Sequence, residues 1–458
     1  MTRRQTSIAV LLLVATSAVV AGAVRAPLPD SATSLETASV LDTRALAAQR
    51  MPVDTLQTAR SIRFYADRAR ADPESAINRS ILAGLYLQRC RETGDIADAQ
   101  RAELTARESL GIRSRRNTAA YNMLALSLFA QHRFPEAASV ARAVFASMPE
   151  DPQAVSTLAE IETESGDMKK ASSHLVSLRK LSPDSPYTAA LAARVDELRG
   201  LLPEAQKLLE IAARKADRST DLPRENVAWF HFRAGNIRAM RGDASGAHTA
   251  YADALAWYPQ DYKTMLALAK LDAGMGRWTD AITYACQSAD VVPMPETIGL
   301  LQDCYAATGD RANANASREL WEAMRRLSRA EGAIYDRQRA MYCADHGVHL
   351  NEALGLARHE LSIRKDVYAY DTFGWVSFNC GHFQDALTAL NTAIATGAQD
   401  SLLYFHRGEI EAALHRNDAA RQDLTRALAL NPYFHPTGPG VARATLARLG
   451  SGKLPEAS

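Results

Sequence analysis

The sequence predicts an all-α solenoid of stacked helical hairpins, and three observations predict it. Gly, Ala and Pro return at fixed offsets in "GDMKKASSHLVSLRKLSP" from Gly166, "GDASGAHTAYADALAWYP" from Gly242 and "GRWTDAITYACQSADVVP" from Gly276. Aligned on the alanine, the chain gives Ala137, Ala171, Ala205, Ala247, Ala281, Ala314, Ala353, Ala386 and Ala420, with gaps of 33 or 34 residues except for one of 42 and one of 39. A period of this length is the signature of stacked repeats. Within a unit, Tyr121, Leu124, Ala125 and Leu128 keep the spacing of one helix face, and Ala137, Ala141 and Val144 continue on a second helix after a polar turn.

The elements follow in order along the 458 residues. "MTRRQTS" and the uncharged run Ile8 to Val24, with small residues at Ala21 and Ala23, predict a cleaved export signal over 1–23. The run is near the lower limit for a span, so an uncleaved N-terminal membrane anchor is the alternative. Residues 24–52 read as a linker, rich in Ser, Thr, Ala and Pro over 27–45, and 53–71 as an amphipathic capping helix. The repeat array runs over 72–434, beginning with a diverged unit on Gly94 and Ala99. A C-terminal cap and tail, with a short helix at "VARATLARLG", occupy 435–458. The two long gaps fall on "KADRSTDLPREN" and "RRLSRAEGAIYDRQRA", which read as insertions or longer helices.

Each recurrent residue has a physical task. The glycine ends the first helix, where a positive φ is cheapest without a Cβ, and His132 and His415 stand in that place in two units. A small residue in each helix (Ala125 with Ala137, Gly235 with Ala247, Gly374 with Ala386) lets the pair approach closely. The proline closes the second helix, since it cannot donate a backbone hydrogen bond.

This pattern resembles the tetratricopeptide repeat, most completely in the unit with Gly235, Gly242, Ala247, Tyr251, Ala254 and Pro259 and in the one with Tyr404, Gly408, Ala420, Leu424, Ala427 and Pro432. The resemblance implies a right-handed superhelix of about nine to ten repeats. It is specific for fold and nearly silent about function.

Composition excludes several classes. Net charge is +1 and charged residues make up 23%, so no global field selects nucleic acid. The five cysteines are far apart without a C-x-x-C pair, so they read as small helix residues, with Cys286 and Cys304 able to approach across adjacent units. No phosphate loop survives inspection: "GSGK" at 450–453 lacks the glycine at 447. Carboxylates fall as ordinary helix-surface charges. No catalytic residue and no cofactor is expected, and an enzyme is disfavoured.

The resemblance implies that the first helix of each unit lines a concave groove. The groove candidates are Trp229, Phe232, Asn236, Tyr368, Asp371, Trp375, Phe378, Phe405 and Glu409. Tyr368, Trp375, Phe378 and Phe405 are expected to form one contiguous apolar patch there. Phe232 and Leu266 stand where related carboxylate-clamp repeats want lysine, which argues against a chaperone adaptor. The expected function is a non-enzymatic scaffold of the bacterial envelope, periplasmic or secreted, binding another envelope protein or peptide, with no nucleic acid and no membrane contact beyond an uncleaved N-terminus. The alternative is a metal-handling exported protein using Asp345, His346, His349 and His359.

Overall fold

The computed structural model describes residues 53–331 and 335–450. The export segment, the linker and residues 451–458 of the tail lie outside the described residues. Twenty-two α-helices follow one another, with no strand among the described residues. None of these helices is long and apolar enough to cross a membrane.

In order, the helices are α1 (Val53–Ala71), α2 (Ala76–Thr93), α3 (Ile96–Ile112), α4 (Thr118–Ala130), α5 (Phe134–Ser147), α6 (Pro152–Ser165) and α7 (Met168–Leu181). Next come α8 (Pro186–Leu198), α9 (Leu202–Asp217), α10 (Arg224–Met240), α11 (Ala244–Trp257), α12 (Tyr262–Gly274), α13 (Trp278–Val291) and α14 (Pro295–Ala307). The last are α15 (Arg311–Glu331), α16 (Asp336–Asp345), α17 (Leu350–Ile363), α18 (Val367–Asn379), α19 (Phe383–Ile394), α20 (Ser401–Ala413), α21 (Asn417–Leu430) and α22 (Gly438–Gly450).

From α2 to α21 they pair as antiparallel hairpins, with α22 left as a single terminal helix, and local chemistry sets their ends. Asp151, Asp261, Asp366 and Asp400 each accept a backbone N–H in the first turn of the helix they precede, satisfying donors the helix cannot satisfy itself. The hairpin turns carry positive φ at Gly166, Gly242 and Gly276, and equally at His132 and His415. Pro183, Pro259, Pro293 and Pro432 each lie two residues past the end of a second helix.

The recurrent alanines mark the crossing of each hairpin. Ala137, Ala171, Ala205, Ala247, Ala281, Ala353, Ala386 and Ala420 are all fully buried, whereas Ala314 is only partly so. Opposite them, a Cβ at Gly408 would sit 2.7 Å from Leu424 Cγ, so the glycine makes room for a large residue one turn beyond the alanine. The long gaps resolve as a loop between α9 and α10 and as the 21-residue helix α15 before the short α16.

The winding is tight enough for successive turns of the superhelix to touch. Lys365 N–H donates to Ser165 O at 3.0 Å, placing the turn after α6 against the loop before α18. The turn at Gly200 meets Gly397, that at Gly242 meets Leu430 and Asn431, and that at Gly94 meets Val292. Thr55 Oγ1 and Tyr258 OH lie 2.9 Å apart although 203 residues separate them.

Candidate binding channel

Because the turns touch, the concave face of the first helices becomes the wall of a channel that is partly open to solvent. Its main cavity is about 660 Å³ and is lined from α6, α8, α10, α12, α14, α16, α18 and α20, with the loop 431–434 closing one side. A second cavity of about 300 Å³ shares Lys270, Glu296, Arg337, Gln338, Tyr368 and Leu402 with the first. A side pocket of about 100 Å³ opens at Glu160, Tyr187 and Trp229.

Charged side chains are set among apolar ones in the wall, and nearly all are matched. Arg194 grips Glu164 with two bonds of 2.7 and 3.1 Å and reaches Glu197 at 2.5 Å. Glu197 also accepts from Arg233 at 2.6 Å. Such forked guanidinium–carboxylate pairs are directional and strong. Arg364 lies against Asp366, Glu360 at 3.6 Å and Glu164 at 3.8 Å, and so ties α6 to the neighbouring turn. Lys270 pairs with Glu296, and Lys263 approaches Glu225 at 3.7 Å, which Arg91 also reaches at 3.4 Å. The Tyr368 ring sits between these groups, with the Arg194 and Arg337 guanidinium carbons 5.5 and 5.2 Å from its centre.

These environments move protonation in different directions. Burial alone would raise the Glu164 carboxyl, but the charge and hydrogen bonds of Arg194, with the Arg364 and Arg233 charges, together prevail and hold it at about 2. Burial pushes Asp400 up to about 6 despite the Leu402 N–H it accepts, with the nearby Asp371 and Glu197 carboxylates adding to the rise. His132, buried and facing Arg364 and Arg337, falls to about 4 and is neutral at neutral pH.

The groove candidates divide in three. Phe232, Asn236 and Tyr368 line the main cavity, Tyr368 and Asp371 the second, and Trp229 the side pocket. Asn236 Oδ1 accepts from Tyr251 OH at 2.8 Å, and Asp371 Oδ1 lies 2.7 Å from His406 Nδ1. Trp375 and Phe405 are buried in the packing between units. Trp375 stacks on His406 at 4.1 Å, lies 5.2 Å from Phe378, and donates its Nε1–H to Asp345 at 2.7 Å. Phe405 packs against Phe434 at 5.3 Å, Phe378 against Phe383 at 5.6 Å, and Glu409 accepts from Thr445 at 3.2 Å. The expected apolar patch of four aromatics is therefore replaced by interior packing that leaves only Tyr368 at the cavity. The reason is that a first helix has three neighbours: its own second helix, the adjacent first helix and the channel.

The residues missed from sequence are the charged ones: Arg194, Arg233, Arg337 and Arg364. Each stands at a first-helix or loop position where a solvated surface charge is the ordinary reading. No local signal marks them, because Arg and Glu are as frequent on second helices as on first ones.

The late histidines do not converge. His346 Nε2 lies 2.9 Å from Asp303 while its Nδ1 meets the Tyr342 carbonyl oxygen, and His349 pairs with Glu322 at 2.6 Å. No group of three or more metal-binding side chains forms among the described residues. All five cysteines, Cys286 and Cys304 included, are free thiols.

Comparison with known proteins identifies the repeats. Residues 128–195 match one family model described as Tetratricopeptide repeat, and residues 376–433 match a second of the same description. No curated protein matches the chain. Among solved structures it is similar to PilW, a widely conserved type IV pilus biogenesis factor, at 19% identity over 46% of this chain and 94% of that one (TM-score 0.39). It is also similar to pilF of Pseudomonas aeruginosa, at 14% identity over 50% and 97% (TM-score 0.38). A tetratricopeptide repeat protein from Parabacteroides merdae follows at 17% identity over 58% and 98% (TM-score 0.33).

Proposed function

This chain carries tetratricopeptide repeats, and we propose that it is a non-enzymatic scaffold of the cell envelope that seats a segment of a partner protein in its channel. Repeats of this kind are generally interaction scaffolds. The observation that carries the reading is the 660 Å³ cavity, to which eight first helices contribute. Clefts of this size, with apolar surface and a few placed polar groups, are the usual form of a binding site. Phe232 and Tyr368 supply aromatic anchors there and the arginine–glutamate pairs supply orientation. The envelope assignment rests on the export signal expected at 1–23, and Trp229, Phe232, Asn236, Tyr368 and Asp371 are the proposed contacts.

The test is to fill the cavity without touching a charge. Ala267 lines it from α12, and Ala267→Trp should abolish co-isolation of the partner from envelope extracts while circular dichroism stays unchanged. Undiminished co-isolation would sink the proposal.

A further inference from the structure

Six cations line the main cavity, and five of them have a carboxylate within 4 Å: Arg194, Arg233, Lys263, Lys270 and Arg364. Arg337 has none within 4 Å among the described residues: it lies over the face of Tyr368, and the Glu296 and Glu360 carboxylates feel its charge only from farther off. The carboxylates of the same wall are already taken. Glu164 and Glu197 are held by Arg194, Glu296 by Lys270 and Glu360 by Arg364, while Asp400 caps α20. Two further polar atoms there are unmatched. Ser401 is 3% exposed and its Oγ has no partner among the described residues, and Gln338 Oε1 is likewise alone. A half-buried guanidinium on a cavity wall, with no carboxylate bonded to its planar fork, is the preferred receptor for a carboxylate, and a buried hydroxyl without a partner is costly unless a ligand completes it.

We propose that Arg337 receives a carboxylate of the bound segment, at the point where the 660 and 300 Å³ cavities share their wall. This rests on the channel reading above and adds the chemistry of the ligand. The carboxylate belongs either to an Asp or Glu side chain or to a chain terminus, and both would meet Arg337 through the same forked pair.

The test uses three labelled peptides of alternating Glu and Ala design on the full chain. One has both ends blocked, one has Gln for Glu and a free C-terminal carboxylate, and one has Gln for Glu and both ends blocked. The expected result is that the first or the second binds, that the third does not, and that Arg337→Gln weakens binding about tenfold or more. Binding of the first assigns a side-chain carboxylate, and binding of the second alone assigns a terminus. Should Arg337→Gln lose helicity, Arg337→Lys is measured instead and should weaken binding severalfold, because lysine keeps the charge but not the fork. Failure of both acidic probes, or equal affinity in wild type and variant, overturns the proposal. If the neutral peptide binds wild type and Arg337→Gln alike while Ala267→Trp blocks it, the channel reading stands and this inference alone fails.

Discussion

The backbone N–H of Lys365 donates to the carbonyl oxygen of Ser165 across 3.0 Å, and that bond joins two turns of the superhelix. Around it Arg364 faces Asp366, Glu360 and Glu164, and its guanidinium lies 5.0 Å from the centre of the Phe134 ring. A solenoid that contacted only its nearest units would be an open groove, and this seam makes it a channel. Removing one partner of a buried ionic network typically costs about 3 kcal/mol or more. Arg364→Ala should therefore lower the urea midpoint and raise the radius of gyration in small-angle scattering. An unchanged radius would mean the seam does not hold the turns together.

Gly166 tests the same contact without touching a charge. Its φ is +87°, and an added Cβ would run into the Lys365 carbonyl. Gly309 has a φ of +79° but open space around it. Alanine at either site incurs the left-handed backbone cost of about 1 to 2 kcal/mol. Only Gly166→Ala should lose more, and only it should expand the molecule. Equal losses in thermal unfolding would contradict the close approach.

Trp375 is a core residue by its surroundings, buried against Phe378 and His406 and bonded to Asp345. Trp375→Ala should destabilise the C-terminal units by about 3 to 5 kcal/mol. Hydrogen exchange over α16 to α20 is the readout, because a repeat array need not unfold in one step. Normal protection there would show that the ring is dispensable to packing.

His346 gives a pH signature. Burial opposes its charged form, but the bond and charge of Asp303, with the Tyr342 carbonyl and the Asp345 charge, together outweigh burial and raise its pKa above 6.5. A raised histidine contributes stability that is fully present below its unfolded value and is lost as pH rises through the folded one. Asp303→Asn should thus destabilise the protein most in mildly acidic solution, with the gap to wild type closing toward alkaline pH. A gap that widens with pH would reverse the assignment.

The thiols offer a simple check. Burial pushes Cys304 and Cys343 up to about 12, and both side chains are almost fully buried. An aromatic disulfide reagent needs an accessible thiolate, so these two should react only after unfolding. Rapid native labelling of either would place it elsewhere.

Much of this fold is legible in the sequence because its rules are local. The left-handed turns at Gly166 and at His132 and His415, the buried crossing alanines and the proline exits each follow from one backbone or packing constraint repeated about every 34 residues. The pitch of the superhelix is not local. It depends on small rotations summed over many hairpins, so the meeting of Ser165 with Lys365 has no sequence signal of its own. For the same reason the channel charges were hidden: Arg194 reads as a surface residue until Glu164 and Tyr368 are seen around it. Trp375 and Tyr368 lie seven residues apart on one face of α18, yet one is buried between units and the other lines the cavity. Helical periodicity alone cannot separate those two neighbours.

Site-specific photo-crosslinking in the native envelope tests most directly whether the partner sits in the channel. A photoreactive phenylalanine analogue is placed at Phe232, in the cavity wall, and in a second variant at Thr388, on the exposed side of α19. A partner adduct at Phe232 with none at Thr388 is the predicted result. Adducts at Thr388 with none at Phe232 would contradict it and move the binding surface to the outside of the superhelix.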